Sequence, residues 1–302
     1  AHEYFNHDWE PMSFTRMAGW LCGAKLGYAC SAHYLDHLTG LTFTPAQHAL
    51  LQEQPDAMFR ETVRDFLVNQ QFRRDYWVKG PRKLAPADQA QALRAQQVLL
   101  ATSAADVAMT VKAPVGEASL TTTIYKPVLA AMADHQVHSI GALWERLQKG
   151  ASTSSVSFAQ LTEAIMLLAG TGDVVAVQES TVVHRAKPQT DRLNRHLLGM
   201  ARNHADTSAL ASPVSGGGVT LSRFQQLFVL AMLEGPTTQA TPEPAALAGY
   251  AWTTLMAQGQ RLLKEGKPMD AAQANSDALT AQATEFVTKR LPVLRRLGVV
   301  PG

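Results

Sequence analysis

Pro55-Asp56-Ala57-Met58-Phe59-Arg60-Glu61-Thr62-Val63-Arg64-Asp65-Phe66-Leu67-Val68-Asn69-Gln70-Gln71-Phe72-Arg73-Arg74-Asp75-Tyr76-Trp77-Val78-Lys79-Gly80 changes its period halfway along. Counted from Phe59, the residues Val63, Phe66 and Leu67 fall at i+4, i+7 and i+8. This apolar stripe, with Met58 at its edge, predicts a helix. Pro55 sits where a first-turn proline is tolerated, and Asp56 places negative charge near the helix N-terminus. From Phe72 the period becomes two: Phe72, Arg74, Tyr76 and Val78 alternate with Arg73, Asp75, Trp77 and Lys79. Gly80-Pro81 stops that strand. A helix that empties directly into a charged strand divides the chain.

Upstream, Met17, Trp20, Leu21, Ala24, Tyr28 and Leu35 recur at three- and four-residue steps, predicting one helix or two short ones over residues 14–38. Thr44-Pro45-Ala46-Gln47 has the form of a capping box opening a helix over residues 45–54. Downstream, strands are expected at 72–79, 98–102 and 107–113, with a short helix over 87–97. Helices over 126–135, 139–149 (Ser139 as N-cap) and 157–169 (opened by Ser154, Ser155 or Ser157) follow. Thr171-Gly172-Asp173 would then turn into strands 174–178 and 181–185. Three helices and a hairpin describe a winged helix; a three-helix bundle with an edge hairpin is the alternative. Further helices are expected over 190–205 and 221–234. Two long ones, 245–265 and 271–297, would form an antiparallel pair, with Pro292 kinking the last or beginning a new segment. The expected fold is mainly α with small β elements (α+β). Its parts are an N-terminal helical unit (1–71), a small sheet with a winged-helix-like middle (72–189) and a C-terminal helical hairpin region (190–302).

A chain of 302 residues with 46% apolar and 17% charged residues can bury a sizeable core. Twenty-seven Lys and Arg against 25 Asp and Glu leave +2, too even to imply a nucleic-acid or membrane partner by charge. No apolar run approaches the roughly twenty residues of a membrane span, and no signal peptide is expected. Cys22 and Cys30 lack CxxC spacing and read as free thiols in a reducing, cytoplasmic setting. The chain opens on Ala1-His2-Glu3-Tyr4 without methionine, so a preceding portion is expected.

Phe66 to Gly80 resembles a signature of the methyltransferase regulatory region. His2-Glu3-Tyr4-Phe5-Asn6 with Pro11 and Phe14 resembles its opening, and Leu41-Thr42-Phe43-Thr44-Pro45-Ala46-Gln47 its middle. That region follows the catalytic domain in bacterial S-adenosylmethionine-dependent methyltransferases, including protein-lysine methyltransferases. The similarity is clear over roughly the first eighty residues and looser beyond. The resemblance implies a cofactor, S-adenosylmethionine, bound by a separate domain preceding residue 1. It carries over no catalytic, cofactor-binding or metal residue.

A Rossmann-type cofactor site needs a strand, a glycine turn and then a helix. Leu167-Leu168-Ala169-Gly170-Thr171-Gly172-Asp173 has glycine spacing in the reverse order, and Ser212-Pro213-Val214 before Ser215-Gly216-Gly217-Gly218 is not a strand. His33-Tyr34-Leu35-Asp36-His37 puts two histidines on one helical face. Tyr34 nevertheless stands where a zinc protease needs glutamate, and ordinary partly exposed histidines are the favoured reading. Residues 150–183 contain no Lys or Arg, which argues for a protein-binding winged helix over a DNA-binding one. Arg60, Arg64, Arg73, Arg74 and Lys79 either dock a neighbouring domain or acidic segment, or form salt bridges on a solvated face. The interleaved Glu61, Asp65 and Asp75 favour the second. Tyr4, Phe5, Trp9 and Phe14 suit either an interface or packing on the chain's own helices.

The interface candidates are therefore Tyr4, Phe5, Trp9, Phe14, Arg73, Arg74 and Trp77. The expected function is the accessory C-terminal portion of a protein-directed methyltransferase, contributing substrate-protein selection, gating of the catalytic domain or dimerisation. Its partners would be that catalytic domain, a protein substrate or a second copy, with no nucleic acid and no membrane. The alternatives are a winged-helix transcriptional regulator and a free-standing interaction scaffold.

Overall fold

The computed structural model describes residues 7, 8, 10–150, 156–235 and 241–300. The chain is mainly α-helical with small β elements, and every strand pairing among the described residues is antiparallel. It divides into two compact units, each gathered from three stretches. The first holds 1–94, 108–128 and 147–172; the second holds 95–107, 129–146 and 173–302. This division differs from three consecutive segments because strands remote in sequence pair with one another.

In the first unit, helix Phe14–Gly23 is capped by Ser13, and helix Pro45–Gln52 carries the expected Thr44/Gln47 capping box. Helix Ala57–Val68 starts two residues later than Pro55 suggested. Asp56 is its N-cap, accepting from the N–H groups of Met58 and Phe59, which leaves Pro55 outside. Leu26–Ser31, expected to be helical, is a strand, and it pairs antiparallel with Asp75–Lys79 through a bulge at Tyr28/Cys30. A partner some fifty residues away overrides the local helical spacing. The strand at 75–79 thus belongs with the preceding helices, and the expected break at residue 71 falls inside the unit. Helix Phe158–Thr171 has Ser157 and Gln160 as its capping box; Ser154 and Ser155 lie outside the described residues. Its last turn and C-cap contain the two glycines of Leu167–Asp173. A Cβ on Gly170 would come within 2.5 Å of Leu35, so glycine permits that close approach, and Gly172 (φ +86°) is the left-handed C-cap.

In the second unit, Gln97–Leu100 is the middle strand of three, between His138–Ser139 and Val174–Ala176. The expected wing is absent from this place. Residues 181–185, read as a returning strand from their β-branched run, open helix Ser180–Met200. Val183, Leu197 and Leu198 lie along the apolar core at helical spacing, which outweighs the local strand preference. The Gly216 turn joins strands Ala209–Ala211 and Gly218–Thr220, and helix Arg223–Glu234 follows. Helix Pro244–Ala257 is shorter than expected, because a small hairpin (Leu263–Lys264 with Lys267–Pro268) intervenes before helix Ala272–Glu285. A π-helical turn, Phe286–Arg290, then precedes helix Leu291–Arg296. Pro292 lacks the N–H that an α-helical turn needs, and the wider turn just before it accommodates the break. The core includes Leu99, Leu198, Leu210, Phe228, Leu279 and Phe286, and the rings of Phe228 and Phe286 lie 5.5 Å apart.

Asn275 has no exposed surface. It accepts from Leu262 N–H (2.9 Å) and donates to the carbonyls of Met269 (2.7 Å) and Ala271 (2.9 Å). Asn275→Leu should cost about 2 kcal/mol by leaving those backbone groups unpaired, measured by urea unfolding. At Asp134, burial works against the carboxylate, but contacts from His138 Nε2 (2.9 Å), the Gln136 N–H (3.0 Å) and Arg146 (3.1 Å) outweigh it. They hold its pKa at about 2 instead of 3.8. A carboxylate depressed in the folded state stabilises above its unfolded pKa and loses that contribution as pH falls through the interval. Urea titrations of wild type and Asp134→Asn should differ by about 1 kcal/mol at neutral pH, allowing for solvent screening at this half-exposed site. The difference should vanish as pH falls from 3.8 to about 2.

Candidate functional site

The junction between helix Ala57–Val68 and strand Asp75–Lys79 is built around one guanidinium. Arg73 makes 2.8 Å ion pairs with Glu61, Asp65 and Asp75, reaching the last with two nitrogens. It also donates to the Tyr28 hydroxyl (3.2 Å), which in turn donates to Glu61 (3.2 Å). Its Cζ lies 4.2 Å from the Phe14 ring centroid. Phe14, Tyr28 and Trp77 pack together with centroids 4.9–5.5 Å apart. Alongside, Arg64 pairs with Asp36 (3.3 Å) and Glu61 (3.6 Å).

These groups are ion pairs, as the interleaved acids suggested, but the face is not solvated. The Arg64, Arg73, Glu61, Asp65 and Asp75 side chains retain 8–20% exposure. Burial acts against the Arg73 charge, yet hydrogen bonds to Asp75 and Glu61 overcome it and raise its pKa. Burial raises Asp65 despite its bond to Arg73, and burial with the nearby Glu61 charge raises Tyr28, which keeps the phenol protonated as a donor.

The polar side of the signature helix therefore faces its own unit, with Thr62 buried beside Thr15 (Oγ–Oγ 2.6 Å). The apolar stripe is split: Val63 and Leu67 are half-buried, whereas Phe66 is 81% exposed and Phe59 is 48% exposed. Two turns apart, they share one helix face. On the strand side, Phe72, Arg74, Tyr76 and Val78 point outward and Arg73, Asp75 and Trp77 inward, as the period of two requires. A cavity of about 330 Å³ opens beside them, lined by His33, Asp36, Gln70, Phe72, Arg74 and Lys112. Asp36 is engaged by Arg64 and Ser31 (2.6 Å), whereas Arg74 and Lys112 have no carboxylate within ion-pair distance among the described residues. The cavity thus presents two cations and an exposed phenyl ring.

Of the interface candidates, Phe14, Arg73 and Trp77 are brought together but engaged within the unit, and Arg74 faces outward. Tyr4, Phe5 and Trp9 lie outside the described residues. The outward Phe59, Phe66, Phe72 and Tyr76 were not singled out; the strand alternation was the signal for the last two. His33 and His37 do not stand on one α-helical face, since Tyr34–His37 is a 3₁₀ turn with His33 as its N-cap. His37 Nε2 lies 2.9 Å from the Ser31 carbonyl oxygen. Among the described residues no group of three His, Cys, Asp or Glu side chains is placed to hold a metal ion, and no helix is long and apolar enough to cross a membrane.

Residues 1–79 match the family model of the predicted methyltransferase regulatory domain, so the resemblance drawn from the N-terminal motifs holds over that stretch. The chain is 31% identical over 299 residues to the uncharacterized protein sll1526 of Synechocystis sp., covering 99% of this chain and 56% of that protein. PKMT2 from Rickettsia typhi shares the fold. Its complex with AdoHcy gives a TM-score of 0.58 at 13% identity, covering 99% of this chain and 59% of that one. PKMT2 alone gives 0.54 at 12% identity, with 99% and 60% covered. The chain spans little more than half the length of each of these proteins.

Arg73→Ala should lower stability by about 2–3 kcal/mol in urea unfolding, because three partly buried carboxylates lose their counter-charge. Arg73→Lys keeps the charge without the planar fork and should still lose about 1–2 kcal/mol. Arg74→Ala, one residue on and exposed, should stay within about 0.5 kcal/mol of wild type.

Proposed function

We propose that this chain is the non-catalytic regulatory portion of an S-adenosylmethionine-dependent methyltransferase acting on proteins. Its outward signature face would contact the catalytic domain and help to select the protein acceptor. The match of residues 1–79 to the methyltransferase regulatory domain is the observation that supports this most directly. The AdoHcy complex of PKMT2 fits a cofactor of that class in the longer protein. A methyl-donor nucleotide would be held by the separate catalytic domain. The two glycine-rich segments of this chain have other work, one ending a helix and the other turning a hairpin.

The outward phenylalanines of the signature helix supply the physical part of the reading. Exposed Phe59 and Phe66, with Phe72 beside Arg74 and Lys112, combine aromatic rings with unpaired cations. Aromatic and arginine side chains are the residue types that anchor protein interfaces.

In the longer protein, F66S/F72S should reduce methyl transfer from tritiated S-adenosylmethionine to lysate proteins about tenfold, as loss of interface anchors does. Cofactor affinity, measured by calorimetry, should not change. Unaltered transfer would remove the signature face from the reading. Saturable S-adenosylmethionine binding by the 302-residue chain itself would overturn the accessory assignment.

A further inference from the structure

Helix Ser180–Met200 carries its three arginines on one side. At 100° per residue, Arg185, Pro188, Arg192, Leu193, Arg195 and His196 occupy one half of its circumference, and all six are exposed. Asn194 and Leu198 on the opposite side are buried. Asn194 fastens the helix to strand Ala209–Ala211 by two hydrogen bonds with Ala211 (2.7 and 2.8 Å). From Arg185 to Arg195 the exposed row is about 15 Å long.

The row is not neutralised. Asp191 is the helix's one acid, and it is taken up by Lys187. Among the described residues no carboxylate lies within ion-pair distance of Arg185, Arg192 or Arg195. Three guanidiniums on one rigid, anchored helix repel each other, and each offers a planar fork suited to carboxylate or phosphate.

Three features favour a polypeptide over a nucleic acid. The chain's formal charge of only +2 gives no broad field to gather a polyanion. The exposed face has no Phe, Tyr or Trp on which a base could stack. Leu193, 47% exposed, and Pro188 place apolar surface among the guanidiniums, which matches a segment of mixed acidic and apolar residues. We infer that this face of helix Ser180–Met200 is a docking surface for an acidic, partly apolar polypeptide segment of another protein. The surface lies outside residues 1–79 and does not rest on the methyltransferase reading.

The test is fluorescence anisotropy of the full 302-residue chain with a short labelled peptide of glutamate and leucine. Binding should weaken as salt rises. It should fall about tenfold in R185Q/R192Q/R195Q, the sum expected for three exposed ion pairs. Glutamine is a good helix former, so the variant should melt as wild type does. R261Q/K264Q/K267Q removes the same charge from another exposed site and should leave affinity within about twofold. Equal loss in the two variants would overturn the inference, as would no peptide binding by wild type. Equal affinity for a lysine–leucine peptide, or displacement of the acidic peptide by a lower concentration of a DNA or RNA oligonucleotide, would also overturn it.

Discussion

One half-buried cation sets the geometry of the first unit. Arg73 binds acids from both sides of the junction, Glu61 and Asp65 from the helix and Asp75 from the strand. Its planar fork fixes directions as well as distances, which a lysine ammonium could not do. Because the three carboxylates must converge on it, the helix rotates its polar side inward. The strand is held so that Trp77 meets Phe14 and Tyr28, and those rings cover the guanidinium. The outward position of Phe59 and Phe66 is the other side of the same rotation. A structural requirement thereby leaves aromatic surface free for binding.

The second unit is held by different means. Its large apolar core runs from Leu99 to Val300, with single buried amides at the places where irregular backbone must be satisfied. Asn194 and Asn275 each satisfy backbone groups that neither helix nor sheet can serve. Apolar burial is non-directional, so these amides supply the positional information that the first unit obtains from ion pairs.

The parts legible in the sequence were those governed by neighbours within four residues. Thr44 with Gln47 and Ser139 before its helix cap where expected, and of the three serines offered for the next helix Ser157 is its cap. The alternation read over residues 72–79 matches the two sides of the strand as far as Val78, whereas Lys79, grouped with Arg73, Asp75 and Trp77, is exposed. What escaped was set at long range. Leu26–Ser31 reads as helix until its partner at 75–79 is known, and the β-branched run at 181–183 reads as strand until Leu198 and the core are placed. The signature helix misled for a related reason. Its apolar stripe is only half used: Glu61 and Asp65 turn inward to Arg73, Val63 and Leu67 stay half-buried, and Phe59 and Phe66 are left outside. No periodicity records that competition.

The two units are threaded through each other along the chain. A recombination breakpoint between residues 108 and 128 would split both at once, stranding Gly170 from Leu35 and Leu99 from its sheet partner Val175. Residues 1–79 taken alone would forfeit helix Phe158–Thr171, which packs on the Tyr34–His37 turn.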